Sequence, residues 1–198
     1  SIGTRKGLDL LRKRKRWPHD AQERGEQRTL QSPARRERLD ATIGQAEFTY
    51  EYRQHVAYCL GCVARTLPPE QSAALLLKEL LLFESRDAAR VMGLSESTFR
   101  HRLSAARAAM REIFEGLCAL VGKQGVCYQC AKLRDYCPSD RRGPAVEPIA
   151  DDALPPDHKL TRRLAVVREV GLDVGDSPVH DLLYRYMSDM WSGEGPAA

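Results

Sequence analysis

Apolar positions along this chain recur at helical spacing, and period-two alternation is absent throughout. Phe99, Leu103, Ala106, Met110, Ile113 and Leu117 follow one another at steps of four, three, four, three and four, which draws one continuous stripe on a helix running to about Leu120. Upstream, Glu70 to Phe83 turns Ala73, Leu76, Leu77, Leu80 and Leu81 towards a core. Before it, Phe48 to Thr66 reads as a helix halted by Leu67-Pro68-Pro69, and those prolines pre-set the start of the next. Downstream, Leu160 to Val170 and Val179 to Trp191 read as two short helices. The second bears Leu182, Leu183, Tyr186, Met187 and Met190, a stripe that needs a surface to dock on. The fold class implied is all-α, without a sheet: a small helical domain with linkers and a short helical C-terminal extension.

Within that pattern, Ser85 to Arg111 reads as a helix-turn-helix. Ser85 is a plausible N-cap, and Arg86 to Met92 make about two turns, with Ala88, Ala89 and Met92 for packing. Gly93 suits the left-handed position that ends a helix, Leu94 can plug the corner, and Ser95 offers a fresh N-cap. Opposite the apolar stripe of the second helix, Arg100, Ser104, Arg107 and Arg111 recur at the same rhythm, with Ser97, His101 and Arg102 beside them. A buried stripe under a basic, hydroxyl-bearing one suits the DNA major groove, where arginine reaches guanine edges bidentately. The bland alternative is a surface helix with solvated arginines. The glycine corner and capped second helix occurring together favour the DNA-reading form.

Composition adds a gradient. Of 198 residues, 42% are hydrophobic but only 7% aromatic, so much of the chain lacks a large core. Residues 1–38 carry twelve Lys/Arg against five Asp/Glu, residues 39–138 twelve against eleven, and residues 139–198 seven against eleven. A basic head with an acidic tail points to a polyanion met at the front, not to a general polycation. The organisation expected is a basic helix at 1–18, a flexible linker at 19–46 and the helix-turn-helix domain at 47–121. A cysteine-bearing turn at 122–138, a proline-rich linker at 139–156 and a helical extension at 157–198 follow. The extension could pack on the domain, bind a partner or cover the DNA-binding face. No run is apolar and long enough to cross a bilayer, which implies a cytoplasmic protein without a membrane partner.

Leu67 to Arg111, L-P-P-E-Q-S-A-A-L-L-L-K-E-L-L-L-F-E-S-R-D-A-A-R-V-M-G-L-S-E-S-T-F-R-H-R-L-S-A-A-R-A-A-M-R, closely resembles region 4 of bacterial RNA polymerase sigma factors of the extracytoplasmic-function group. G-L-D-L-L-R-K-R-K-R-W-P looks like the tail of that family's region 2. The resemblance implies a domain that binds the promoter −35 element and the flap of the polymerase β subunit, with an anti-sigma factor as a further class of partner. Carried over by position, it puts Ser95, Glu96, Ser97, Thr98, Arg100, His101 and Arg102 at base edges, and Arg107 and Arg111 on phosphate. Arg86 and Arg90 contact the backbone or are solvated. Most of region 2 lies upstream in the family and is not in this chain, which begins at Ser1. The expectation is therefore a sigma factor truncated at its N-terminus. The alternative is a stand-alone helix-turn-helix regulator with a zinc- or redox-responsive cysteine site.

Six cysteines carry the remaining chemistry. His55, Cys59 and Cys62 form H-x-x-x-C-x-x-C on one helix face, and Cys127 and Cys130 form C-x-x-C in a turn, with Cys137 and Cys118 nearby in sequence. Together the two pairs could hold a structural zinc ion, with His55 replacing a thiolate. The helix-borne motif also resembles that of zinc-binding anti-sigma factors. Alternatively Cys59, Cys62 and Cys118 are small core residues, and Cys127 and Cys130 are reduced turn thiols. His19, His158 and His180 fall in linker or tail segments and read as surface residues. There is no glycine-rich phosphate loop, nucleophile elbow or paired acid and base, which argues against an enzyme.

Overall fold

The computed structural model describes Asp9 and residues 16–45, 52–117, 137–141, 156–170 and 177–192. Eight α-helices appear in it: α1 (Ala21–Gln31), α2 (Pro33–Ile43), α3 (Tyr52–Ala64), α4 (Pro69–Leu75), α5 (Ser85–Met92), α6 (Glu96–Leu117), α7 (Pro156–Val170) and α8 (Pro178–Ser192). Among the described residues there is no strand.

α3 is the axis. His55, Val56, Ala57, Tyr58, Cys59, Leu60, Cys62 and Val63 are all buried, because α6, α7 and α8 pack around it. A helix apolar nearly all round must be enclosed by other elements. Its C-terminal carbonyls are satisfied locally: Thr66 Oγ1 donates to Val63 O at 2.7 Å and Ser72 Oγ to Ala64 O at 2.7 Å. Pro68 and Pro69 then start α4, with Pro69 at its first position.

The helix expected to run from Glu70 to Phe83 is interrupted. α4 ends at Leu75, and Leu76–Leu80 continue as a π-helical turn closed by Leu81 N–H donating to Leu76 O at 3.0 Å. One extra residue per turn rotates everything after it, so the apolar stripe slips out of register. Leu81, expected in the core, stands 48% exposed, while Glu79 takes an inward position. Leu82 next adopts φ +56°, and Leu81, Leu82 and Phe83 form an exposed apolar knuckle before α5.

The larger correction concerns the expected linker at 19–46. Residues 21–43 form two helices joined at Ser32, whose Oγ accepts from Arg35 N–H with Pro33 at the first helical position. Gln, Glu, Arg and Ala are good helix formers, so the backbone needs little help. What the pair buries is small: Ala21, Gly25 and Thr29 on α1 and Ile43 on α2. Such residues draw no hydrophobic stripe. α1 and α2 pack on each other and on α8, which supplies the apolar surface they lack.

Trp17, only 1% exposed, closes the arrangement. Its N–H donates to Arg65 O at 3.0 Å, the Arg65 guanidinium lies over its ring, and Tyr184 of α8 stands 5.6 Å away, centroid to centroid. Most of the basic helix expected at 1–18, the cysteine turn up to Tyr136 and most of the 139–156 linker lie outside the described residues; Asp9 is helical, and Ser139–Arg141 form one 3-10 turn.

Candidate nucleic-acid interface

α5 and α6 are joined by a corner that only glycine turns without strain. Gly93 sits at φ +69°, ψ 31°, its N–H donating to Arg90 O at 3.1 Å, and Leu94 N–H reaches Ala89 O at 2.9 Å. These bonds absorb carbonyls that the end of α5 would leave unpaired. Leu94 plugs the corner half-buried. Ser95 Oγ accepts from Thr98 N–H at 3.1 Å and pairs with Thr98 Oγ1 at 2.8 Å, capping α6 as its sequence implies. Ser85 does not cap α5. It is the first helical residue, and Glu84 occupies the cap without a side-chain bond.

The stripe on α6 behaves as read: Phe99, Leu103, Ala106, Met110 and Ile113 are buried, with Phe114 beside them. On the opposite side Ser97, Thr98, Arg100, His101, Ser104 and Arg107 are exposed, while Glu96, Arg102 and Arg111 are half-buried. Arg100 pairs with Glu96 one turn back, the two side chains 68% and 36% exposed. An exposed i,i+4 pair is worth about 0.5 kcal/mol, so a phosphate or guanine edge can take the guanidinium from it. Arg86 and Arg90 on α5 are also exposed, with Arg90 3.4 Å from Asp87.

Arg107 is differently employed. Its Nε donates to Glu79 Oε1 at 2.9 Å, and its Nη2 contacts the same oxygen. The other carboxylate oxygen accepts from Arg168 Nη2 of α7 at 2.9 Å, and Arg168 Nε reaches the Glu79 carbonyl. A nearly buried carboxylate is thus gripped by a guanidinium from each side, and α6 is tied to α7 through the π turn. Sequence reasoning missed this knot, since the partners are 28 and 89 residues apart and no local pattern joins them. Further along, Arg163 is 1% exposed with its guanidinium carbon 3.7 Å from the Phe114 ring centroid.

The metal ligands proposed from sequence divide between what is described and what is not. His55, Cys59 and Cys62 are all buried on α3, while Cys118, Cys127 and Cys130 lie outside the described residues. Cys137 is buried, its Sγ 3.4 Å from Arg141 O. Among the described residues no three histidine, cysteine or acidic side chains gather at a metal-binding geometry. His55 Nδ1 instead faces His180 Nε2 at 3.0 Å. The described donors alone do not make a zinc site.

His180 is a second correction. Expected at the surface, it is 7% exposed, stacked on Tyr58 at 4.7 Å, and burial and the neighbouring His55 depress its pKa to about 3. Its position in α8, one turn before the Leu183–Met187 stripe, was the available signal: a residue on the docking face of an amphipathic helix is carried inwards with it. His19 is exposed as expected.

No helix among the described residues is long and apolar enough to cross a membrane. Residues 58–110, from within α3 to within α6, match the family model described as sigma-70, region 4. No curated protein and no solved structure matches the chain.

Proposed function

We propose, from the match of residues 58–110 to sigma-70 region 4, that the chain directs RNA polymerase to promoters by reading the −35 element with the first two turns of α6. The carrying observation is the corner at Gly93 with the cap at Ser95, which together offer Ser97, Thr98, Arg100 and His101 outwards while Phe99 and Leu103 anchor the helix below. The N-terminal turns of a recognition helix are the part that enters the groove.

Roles follow from the side chains' other commitments. Arg100 is the base reader, since displacing Glu96 costs little and a bidentate guanine contact is worth about 1–3 kcal/mol of discrimination. Ser97, Thr98 and His101 supply further polar contacts at base edges, and Ser95 serves the cap. Arg86 and Arg90 on α5 meet phosphate, as first helices of such motifs cross the backbone. Arg107 is a structural cation, because its guanidinium already spans to Glu79. Arg102 and Arg111, half-buried, are second-rank contacts. The polymerase β flap is the protein partner, and zinc held by His55, Cys59 and Cys62 together with Cys127 and Cys130 is a separate proposal, decided by elemental analysis of chelator-free protein.

Run-off transcription with core polymerase and the full chain tests the initiation role: a promoter-dependent product is expected, and its absence removes the sigma reading. Binding of a duplex selected from random sequence tests the interface, where Arg100→Ala should lose affinity for the selected duplex and not for a scrambled one. Equal loss on both would make Arg100 a phosphate contact.

A further inference from the structure

Two arginines on the outer side of α6 each face an acid, and the two acids are unlike. Glu96, beside Arg100, sits in the first turn of α6 with its side chain 36% exposed. Glu79, beside Arg107, belongs to the π turn, and its side chain is 8% exposed. Arg107 follows Arg100 by seven residues, so the two stand on one face about 10 Å apart along the helix. With the first two turns of α6 in the major groove, Arg107 comes level with the phosphate backbone, where the later turns of a recognition helix make their contacts. Its side chain is 44% exposed, so burial alone does not keep it from a phosphate.

The carboxylate keeps it. Oε1 of Glu79 accepts from Arg107 Nε at 2.9 Å and contacts Nη2 as well, a two-pronged grip on one oxygen. Oε2 accepts from Arg168 Nη2 at 2.9 Å, and Arg168 Nε takes the Glu79 carbonyl. Glu79 lies near the C-terminal end of the α4–π segment, which stops at Leu80 before Leu82 turns left-handed. At such an end carbonyls run out of helical partners, and a carboxylate meets the negative pole of the helix dipole. Both features call for cations, and Arg168 supplies one from α7 while Arg107 supplies the other. A duplex competing for Arg107 would strip a nearly buried carboxylate of half its counter-charge, whereas one competing for Arg100 leaves Glu96 in water.

We propose that Glu79 stands in for a DNA phosphate: held in place from α7 by Arg168, it occupies Arg107 and so sets the number of phosphate contacts that α6 makes. The inference rests on the DNA-binding reading and adds to it a positioning residue that acts from inside the fold. Its consequence is a gain where a loss is usual. Removing the charge of Glu79 weakens the fold yet strengthens binding, and does so for every sequence alike, because the released guanidinium meets phosphate and not a base edge.

The test is the salt dependence of affinity for a scrambled duplex, measured on the full chain as wild type, Glu79→Gln, Arg168→Ala and Glu79→Gln combined with Arg107→Ala. Glu79→Gln should steepen the slope of log affinity against log salt by about 0.9, one phosphate contact, and adding Arg107→Ala should return it to the wild-type value. Arg168→Ala breaks the same knot but leaves Arg107 as the remaining cation on the carboxylate, so its slope should stay that of wild type. A knot with a structural role alone would move the two single variants alike. An unchanged slope in Glu79→Gln overturns the inference, and so does a steeper one in Arg168→Ala. Wild type that binds no duplex removes the DNA reading and this inference together. A readout without DNA, and without any variant, separates the two: in the NMR spectrum of wild type, Arg107 Nε–H should exchange with water at least tenfold more slowly than Arg100 Nε–H. Equal rates overturn the part given to Glu79 even where DNA binding holds.

Discussion

The helix-turn-helix domain, α3 to α6, and the outer α1–α2 layer are both helical, yet they are held together on different terms. α3 to α6 interlock through large side chains at helical spacing, and their turns are closed by local bonds at Thr66, Ser72, Gly93 and Ser95. The outer layer rests on a glycine, a threonine, a tyrosine–carbonyl bond and cations over aromatic rings, and packs against α8, whose Val179, Leu183 and Met187 sit in the same core as Phe99. Residues whose burial is worth about 1.5–3 kcal/mol each build a unit that folds cooperatively. Contacts worth about 0.5–1 kcal/mol each build a layer that opens first.

The strongest attempt to break this contrast is Phe99→Ala. Phe99 is fully buried between α5 and α6, so truncation should cost about 3–5 kcal/mol in urea unfolding and melt both regions. A loss confined to α5 and α6, with α1 and α2 intact, would reverse the order of dependence. Glu79→Gln sharpens the contrast at the seam. It leaves Arg107 and Arg168 without their shared counter-charge, and breaking a buried pair costs about 3–5 kcal/mol. Their 44% and 32% side-chain exposure reduces that to about 2 kcal/mol.

Acid should loosen the outer layer before the domain. His180 is neutral in the fold with its pKa lowered from 6.5 to about 3, chiefly by burial and then by His55. The unfolded chain binds the proton below about pH 6.5 and the native chain only near pH 3, so stability is full above 6.5 and falls as pH drops towards 3. Between pH 7 and 5 the loss is about 2 kcal/mol from this group. Exchange over 21–43 should accelerate across that window, and His180→Gln should flatten the slope. A still smaller effect of opposite sign is expected at the knuckle: Leu82→Gly removes the cost of a left-handed leucine and loses little packing at 62% exposure. It should stabilise the fold by about 0.5–1 kcal/mol in thermal melts.

How far each region could be read from sequence follows the same division. The helix-turn-helix was legible because its signals are local: Gly93 for a left-handed φ, Ser95 for a cap, and a stripe from Phe99 to Ile113. Leu81 was misplaced because a π turn shifts the register without changing composition. α1 and α2 read as a linker since helices that bury Ala21, Gly25 and Thr29 leave no stripe, and their partner lies some 150 residues downstream. α8 was visible as an amphipathic helix, but not what it docks on. Glu79 with Arg107 and Arg168 is a purely tertiary knot. Of the arginines assigned to DNA, sequence spacing grouped Arg100 with Arg107, and only the fold separates a guanidinium paired with a neighbour one turn back from one paired with the buried Glu79.

The salt dependence of DNA affinity measures that separation most directly. For wild type, Arg90→Ala and Arg107→Ala, the logarithm of affinity for the selected duplex is followed against the logarithm of salt concentration. Each phosphate contact contributes about 0.9 to the slope. Arg90→Ala is expected to reduce the slope by about one contact, while Arg107→Ala leaves it unchanged and lowers only thermal stability. A slope that falls for Arg107→Ala and holds for Arg90→Ala would contradict it.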